Sequence, residues 1–246
     1  MDVSAYVLLS HEQALRRRMD VTANNLANVS TTGFKREQPV FGEHLRETGP
    51  EAVDGATQAH FVLDRGAVHD TAAGAFQVTG NPLDVMIEGA GYLAVESPDG
   101  GTAYTRAGHL TLLPSGELAT RSGQQVLGEG GRPISVPPED AASLRIAADG
   151  TLSGATGPLG RIAVTRLDEA SVTPLGDNLF SGAGAAELPA AETRLKAGGV
   201  EGSNVQPVTE TTRMVEILRA YQSSVRMSES LGDMRKRALE RLGRVN

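Results

Sequence analysis

The residues with the chemistry for a small-molecule site are few in this chain, and each sits in a context that argues against one. Gly89-Ala90-Gly91-Tyr92-Leu93-Ala94 has the G-x-G-x-x-A spacing of a dinucleotide fingerprint, in which a strand leads into glycines that admit a pyrophosphate and a helix opens behind them. Val85 to Ile87 could supply the strand, but Tyr92 to Ser97 alternates like a second strand and runs into the Asp99-Gly100 turn. The two glycines therefore read as easing a bend from strand to strand. His11, His44, His60, His69 and His109 show no H-x-x-x-H or H-x-H spacing, and a chain without cysteine has neither disulfides nor thiolate-ligated metals. No G-x-S-x-G and no phosphate-cradling G-x-x-x-x-G-K-[ST] occurs. The acid pairs Glu139-Asp140 and Asp168-Glu169 fall in turn-like contexts where solvated charge is the usual outcome. Asn28-Val29-Ser30 is a formal glycosylation sequon that a helix ending at Asn28 explains more cheaply. The expectation is no catalytic residue, no cofactor and no metal.

The strongest patterns lie in the elements instead. Residues 3–28 and 207–242 both read as amphipathic helices. In the first, Ala5, Leu8, Glu12, Leu15, Met19, Thr22 and Leu26 recur at alternating spacings of three and four, and most of them are apolar. It ends at Asn24-Asn25-Leu26-Ala27-Asn28, where poor helix formers give way to Ser30-Thr31-Thr32-Gly33. In the last, Pro207 is tolerated only in a first turn, so the start lies between Asn204 and Gln206, and Ser203 with Gln206 has capping-box spacing. Its seam runs through Met214, Ile217 or Leu218, Tyr221, Val225, Leu231, Ala238 and Leu242. Such a helix is ~54 Å long. The first helix is too short to cover it, so it needs further partners.

Between the helices the pattern turns to β. Val85, Ile87, Leu93, Val95, Leu110 and Leu112 open a series of short alternating runs, separated by turn signals such as Pro98-Asp99-Gly100-Gly101 and Ser122-Gly123. Leu112-Leu113-Pro114-Ser115-Gly116-Glu117-Leu118 aligns position for position with Ile146-Ala147-Ala148-Asp149-Gly150-Thr151-Leu152, as though one hairpin type were used twice. Residues 36–75, with Pro39, Pro50 and mixed charges, show little periodicity and read as an extended linker or irregular strands. The expected fold class is α+β, mainly β, with N- and C-terminal helices forming a coiled-coil stem and a central Gly-rich antiparallel β domain, the 29 glycines serving its turns.

Charge narrows the partners. The net charge is −7, and the middle is acidic while residues 1–46 and 201–246 each carry a small positive excess. An acidic middle argues against nucleic acid. Arg16-Arg17-Arg18 covers most of a helix circumference and reads as a solvated face. Tyr6-Val7-Leu8-Leu9 is too short for a secretory signal, and no apolar run approaches the ~20 residues that cross a bilayer, so no direct membrane insertion is expected.

Two distant segments carry a family resemblance. Ala23-Asn24-Asn25-Leu26-Ala27-Asn28-Val29-Ser30-Thr31-Thr32-Gly33-Phe34-Lys35 resembles the N-terminal signature of the bacterial flagellar rod and hook proteins, A-N-N-L-A-N-x-N-T-x-G-F-K, with Ser30 in place of the more common Asn. Glu201-Gly202-Ser203-Asn204-Val205 followed by Arg219-Ala220-Tyr221-Gln222 is similar to the family's C-terminal segment. Gly80-Asn81-Pro82-Leu83-Asp84-Val85, Tyr104-Thr105-Arg106-Ala107-Gly108 and Leu175-Gly176-Asp177-Asn178-Leu179-Phe180 resemble its β domain. Within the family the modest length fits a proximal-rod member, with the distal-rod protein as competitor.

The resemblance implies a structural subunit that assembles helically and transmits torque from motor to hook. It divides the chain into an N-terminal helix of the axial core (1–35), a linker (36–75), a central β domain (76–198) and a C-terminal helix of the axial core (199–246). The implied subunit interface includes Leu8, Leu15, Met19 and Leu26 of the first helix, with the amides of Asn24, Asn25 and Asn28 bonding between subunits. On the far side it takes Ser203, Asn204 and Val205, then Met214, Ile217, Leu218, Tyr221, Val225 and Leu231. Implied partners are other rod subunits, copies of itself and the flagellar type III export apparatus. The implied location is the periplasmic rod of the basal body, reached without a cleavable signal peptide. The alternative from another class is a soluble enzyme or binding β domain on a coiled-coil oligomerisation stem.

Overall fold

The computed structural model describes residues 3–47, 58–168 and 171–243. Pro50, Glu169 and the side chain of Leu242 lie outside the described residues. The fold is α+β and mostly β, with a helix at each end, α1 (Val3–Ala27) and α2 (Pro207–Leu242). The chain forms two compact units. Unit 1 is drawn from residues 1–27, 37–68 and 206–246, and unit 2 from 28–36 and 69–205. The chain therefore crosses between them at four points, 27/28, 36/37, 68/69 and 205/206.

In unit 1, α1 and α2 pack on each other. Leu8, Glu12, Leu15, Met19, Thr22 and Leu26 of α1 are all withdrawn from solvent, as are Met214, Ile217, Tyr221, Val225 and Leu231 of α2. Leu15 and Ile217 are the best buried of the apolar seam residues, each 3% exposed. The stripe on α2 ends at Leu231; residues 232–241, Ala238 among them, stand exposed. α1 has a second withdrawn stripe at Val7, Ser10, Ala14, Arg17 and Val21, offset around the helix from the first.

That second stripe has a partner the sequence did not declare. Within residues 36–75, expected to be an extended linker or irregular strands, two strands pair, Glu37–Glu47 and Gln58–His69. The first of them packs on α1. Arg17 Nε lies 3.2 Å from Asp64 Oδ2. Asn25, buried at the end of α1, accepts from the Glu37 N–H at 2.8 Å and donates to the Glu37 carbonyl at 2.9 Å. The strands read as irregular at best because Val62, Leu63 and Val68 are exposed at even and odd positions alike, which erases the period-two signal of a half-buried strand.

The start of α2 differs from expectation in one respect. Pro207 does open the helix, but the N-cap is Gln206 and no side chain caps it. Ser203 lies three residues before the cap, too far out to serve the first turn, and its hydroxyl accepts from the Val205 N–H at 3.2 Å. Glu210 supplies negative charge in the first turn and pairs with Arg213 at 2.8 Å.

Unit 2 is built from short antiparallel pairings. Its largest sheet places six strands side by side in the order Thr173–Gly176, Leu179–Ser181, Thr102–Thr105, Tyr92–Glu96, Val164–Arg166 and Ala186–Glu187. Val85–Ile87 pairs with Leu195–Ala197, and Phe76–Val78 with Gly199–Glu201. The core is aliphatic, with Leu93, Val95, Leu118, Val126, Leu152, Ile162 and Val164 each at most 1% exposed. The repeated hairpin is real in its turn geometry. Leu113 N–H bonds the Glu117 carbonyl at 2.9 Å and Gly116 N–H the Leu113 carbonyl at 2.9 Å; Ala147 with Thr151, and Gly150 with Ala147, repeat this at 2.9 and 3.0 Å. Gly116 and Gly150 adopt φ of 89° and 88°, which only glycine takes without strain.

Candidate functional site

The most concentrated chemistry in unit 2 is a buried ionic knot. Glu201, ending the strand Gly199–Glu201, is 1% exposed. Its Oε1 accepts from Lys35 Nζ at 2.6 Å and from the Gly74 N–H at 2.8 Å, and its Oε2 faces Arg106 Nη1 at 3.1 Å. Lys35 also donates to the Ala72 carbonyl at 2.7 Å. Arg106 donates to the Gly89 carbonyl at 2.7 Å, and its guanidinium lies 5.3 Å from the centre of the Tyr92 ring. One anion thus serves two buried cations, and neutral backbone carbonyls accept hydrogen bonds from their remaining donors.

The electrostatics follow from that balance. Burial pushes the Lys35 ammonium below its ordinary range, with the Glu201 hydrogen bond working against it. Burial by itself would raise Glu201, but the Arg106 charge, the Lys35 hydrogen bond and the Gly74 N–H outweigh it and hold the carboxyl below the usual range. Both carboxylate oxygens face donors of their own chain. The group is placed to hold segments together, not to take a proton from a substrate.

Asparagines and one glycine extend the knot. Asn204 accepts from the Arg36 N–H at 2.7 Å and donates to the carbonyls of Asp70 and Ala72 at 2.9 and 3.0 Å. Asn178, at φ 59°, donates to the Thr32 carbonyl at 3.0 Å. Gly33 donates its N–H to the Glu201 carbonyl at 2.8 Å, and a Cβ there would meet the Arg106 backbone at 2.5 Å. The signature segments 30–35, 104–108, 175–178 and 201–205 therefore converge on one place inside unit 2.

The residues weighed for catalysis are placed otherwise. Tyr92–Glu96 is a strand, so no helix opens behind Gly89 and Gly91. The cavity of about 630 Å³ beside them is lined in part by Arg106, whose charge is committed to Glu201. Asp140, expected to be solvated, is fully buried and bonds the Thr156 N–H at 2.9 Å and hydroxyl at 2.5 Å, tying its own turn to the hairpin turn at Thr156. Among the described residues no group of three or more His, Asp or Glu could hold a metal, and no helix is long and apolar enough to cross a membrane.

The interface residues read from the sequence divide by unit. Leu8, Leu15, Met19 and Leu26 lie on the withdrawn stripe of α1, and Met214, Ile217, Tyr221, Val225 and Leu231 on that of α2. Leu218 is 43% exposed, so Ile217 takes the seam position. Asn24 is exposed, whereas the Asn25 amide is occupied by its own chain. Asn28 accepts from the Thr31 hydroxyl at 3.0 Å. Ser203, Asn204 and the buried Val205 belong to unit 2 and its knot. Sequence reasoning missed Ser224 and Ser228, which bond Glu12 of α1 at 3.5 and 2.8 Å; both fall on the three-four repeat that passes through Ile217 and Tyr221. It also missed the knot, whose members lie up to 166 residues apart.

A second surface marks unit 1. All the large apolar side chains exposed among the described residues belong to it, save Val78 and Leu175. Tyr6 and Leu9 on α1, Leu63 on the strand pair, and Val208, Val215 and Leu218 on α2 are examples, with Val208 79% exposed.

Known proteins match the chain along these same segments. Residues 6–35 match the family model for flagella basal body rod proteins, 86–154 that for the flagellar hook protein FlgE/F/G D1 domain, and 196–241 that for the flagellar basal body rod FlgEFG protein C-terminal region. A flagellar basal-body rod protein FlgF of Caulobacter vibrioides is 37% identical, covering 100% of both chains. The FlgF of Salmonella typhimurium is 32% identical over 97% of each, and the FlgG of Bacillus subtilis 35% identical over 90% of this chain and 92% of its own. With a relative of that identity matched from end to end, and with the signature segments drawn into one buried knot, the chain belongs to the flagellar basal-body rod protein family.

Proposed function

We propose that this chain is a structural, torque-bearing subunit of the proximal rod of the bacterial flagellar basal body, assembling through unit 1. The observation that carries the reading is the uneven distribution of exposed apolar surface. Unit 2 buries an aliphatic core, while unit 1 leaves Tyr6, Leu9, Leu63, Val208, Val215 and Leu218 in solvent. Val208 and Val215, one heptad apart, share one face of α2, and exposed apolar side chains grouped on a face in this way mark a surface that an assembly covers. α1 and α2 pair as a coiled-coil stem, and the faces turned away from that pairing meet other subunits. The same export route that serves other flagellar subunits, the type III apparatus, delivers the chain to the periplasm, where it joins copies of itself and other rod subunits.

The proximal assignment is supported by the end-to-end match to FlgF proteins, against shorter coverage of FlgG, the distal-rod alternative. An enzymatic β domain on an oligomerising stem finds no support in the knot, whose charges face each other. Because the chain has no cysteine, single cysteines report cleanly. Val215→Cys in isolated basal bodies should cross-link to a neighbouring subunit, whereas Leu175→Cys on unit 2 should cross-link much less. Equal yields at the two positions would overturn assembly through unit 1.

A further inference from the structure

We infer that Asn204, acting with Glu201 and Asn178, is a positioning residue that clamps the four chain ends of unit 2 to one another, so that load carried along the chain enters the β domain at one place. The inference rests on the reading of this chain as a load-bearing subunit and names the residues through which the load passes.

Each crossing is tied on its own account. After 27/28, Thr32 is held through its carbonyl by Asn178 and Gly33 through its N–H by the Glu201 carbonyl. Before 36/37, the Arg36 N–H is taken by Asn204 Oδ1 and the Arg36 carbonyl by the Asp70 N–H at 2.8 Å. After 68/69, the carbonyls of Asp70 and Ala72 share the Asn204 amide. Before 205/206, the Asn204 N–H reaches the Phe34 carbonyl at 3.4 Å, and Gly202 N–H bonds the Ala75 carbonyl at 2.8 Å. One side chain therefore bonds two crossings while its own backbone belongs to a third. Only an amide can do this, because the position needs an acceptor and two donations from a single uncharged group. The Lys35–Glu201–Arg106 charges beneath fix the register, since any slip of the Glu201 strand would leave buried charge unpaired.

A clamp differs from a set of separate hydrogen bonds in being cooperative, and amide hydrogen exchange on the full chain separates the two. Asn204→Ala removes the donor to the Asp70 and Ala72 carbonyls, and among backbone N–H groups it takes the acceptor from Arg36 alone. A clamp requires the amides of Gly33 and Asp70, which bond Glu201 and Arg36 instead, to exchange about tenfold faster along with Arg36, while those of Leu118, Val126 and Ala163 in the core stay unchanged. Acceleration confined to Arg36, or spread evenly into the core, would overturn the clamp. Should Asn204→Ala fail to fold, Asn178→Gly removes the tie to Thr32 without straining the φ of 59° there, and unchanged exchange at Arg36 and Asp70 would overturn it equally. In cells, Asn204→Ala subunits should be present in isolated basal bodies in normal amounts while swimming is slowed. Normal swimming alongside the altered exchange would overturn the load-bearing role, whereas wild-type chain missing from basal bodies would overturn the rod reading itself.

Discussion

Glu201 is the residue on which unit 2 turns, because removing it strands two cations in a nearly dry site. Glu201→Ala should lower the stability of the full chain by about 3–5 kcal/mol in denaturant titration, the usual cost of breaking a buried pair from one side. The pH dependence follows from the same group. Its folded pKa is held below the unfolded value, so the unfolded chain binds the extra proton. The stabilisation is complete above the unfolded carboxyl range and is lost as pH falls through the folded pKa. Lys35 is also lowered, so its burial costs stability while it is charged, and that cost fades as pH rises from its folded pKa towards its ordinary one. The stability of wild type, followed by circular dichroism in denaturant titrations at falling pH, should therefore drop more steeply on acidification than that of Glu201→Gln. Identical acid profiles would show that Glu201 does not carry the linkage. Gly33→Ala meets both a φ of 70° and the Arg106 backbone, and should cost at least about 1–2 kcal/mol. The positive φ of Gly33 was legible from its place just past the end of α1, but the ionic knot was not. Lys35, Arg106 and Glu201 each belong to a recognisable segment, but no local pattern says that segments so far apart meet.

Helices were the most legible elements because a 3.6-residue period needs only one buried stripe to declare itself. α1 and α2 end within a residue of the positions their sequences predict. The repeated hairpin was legible for a different reason: Gly116 and Gly150 occupy the same left-handed turn position. What failed was anything with two partners or none. The second stripe of α1 was hidden by reading one seam, and the strands Glu37–Glu47 and Gln58–His69 by apolar residues exposed out of phase. Asp140 was misjudged because its carboxylate is taken by the N–H and hydroxyl of Thr156, sixteen residues away, a partner no local pattern announces. The seam gives a sharp contrast at neighbouring positions. Ile217→Asp buries a charge against α1 and should destabilise the free chain by about 3 kcal/mol or more, while Leu218→Asp should change it by no more than about 0.5 kcal/mol. Thermal melting of the two purified variants checks this, and equal losses would mean that the seam is drawn on the wrong face.

The molecule as a whole separates two tasks that its sequence also separates. Unit 2 has a self-contained core and a buried ionic knot at the chain crossings; unit 1 has paired helices, a strand pair and apolar side chains left open. The central claim is that this open surface serves assembly and not folding. The most direct measurement is incorporation of the Val208→Asp, Val215→Asp double variant into basal bodies of cells lacking the wild-type chain, alongside melting of the purified variant. Both positions are exposed, so the purified chain should melt as wild type does. The expected result is a normally folded, exported subunit that is absent from basal bodies, in cells that do not swim. A variant that melts normally, appears in basal bodies at wild-type amounts and supports normal swimming would contradict the account.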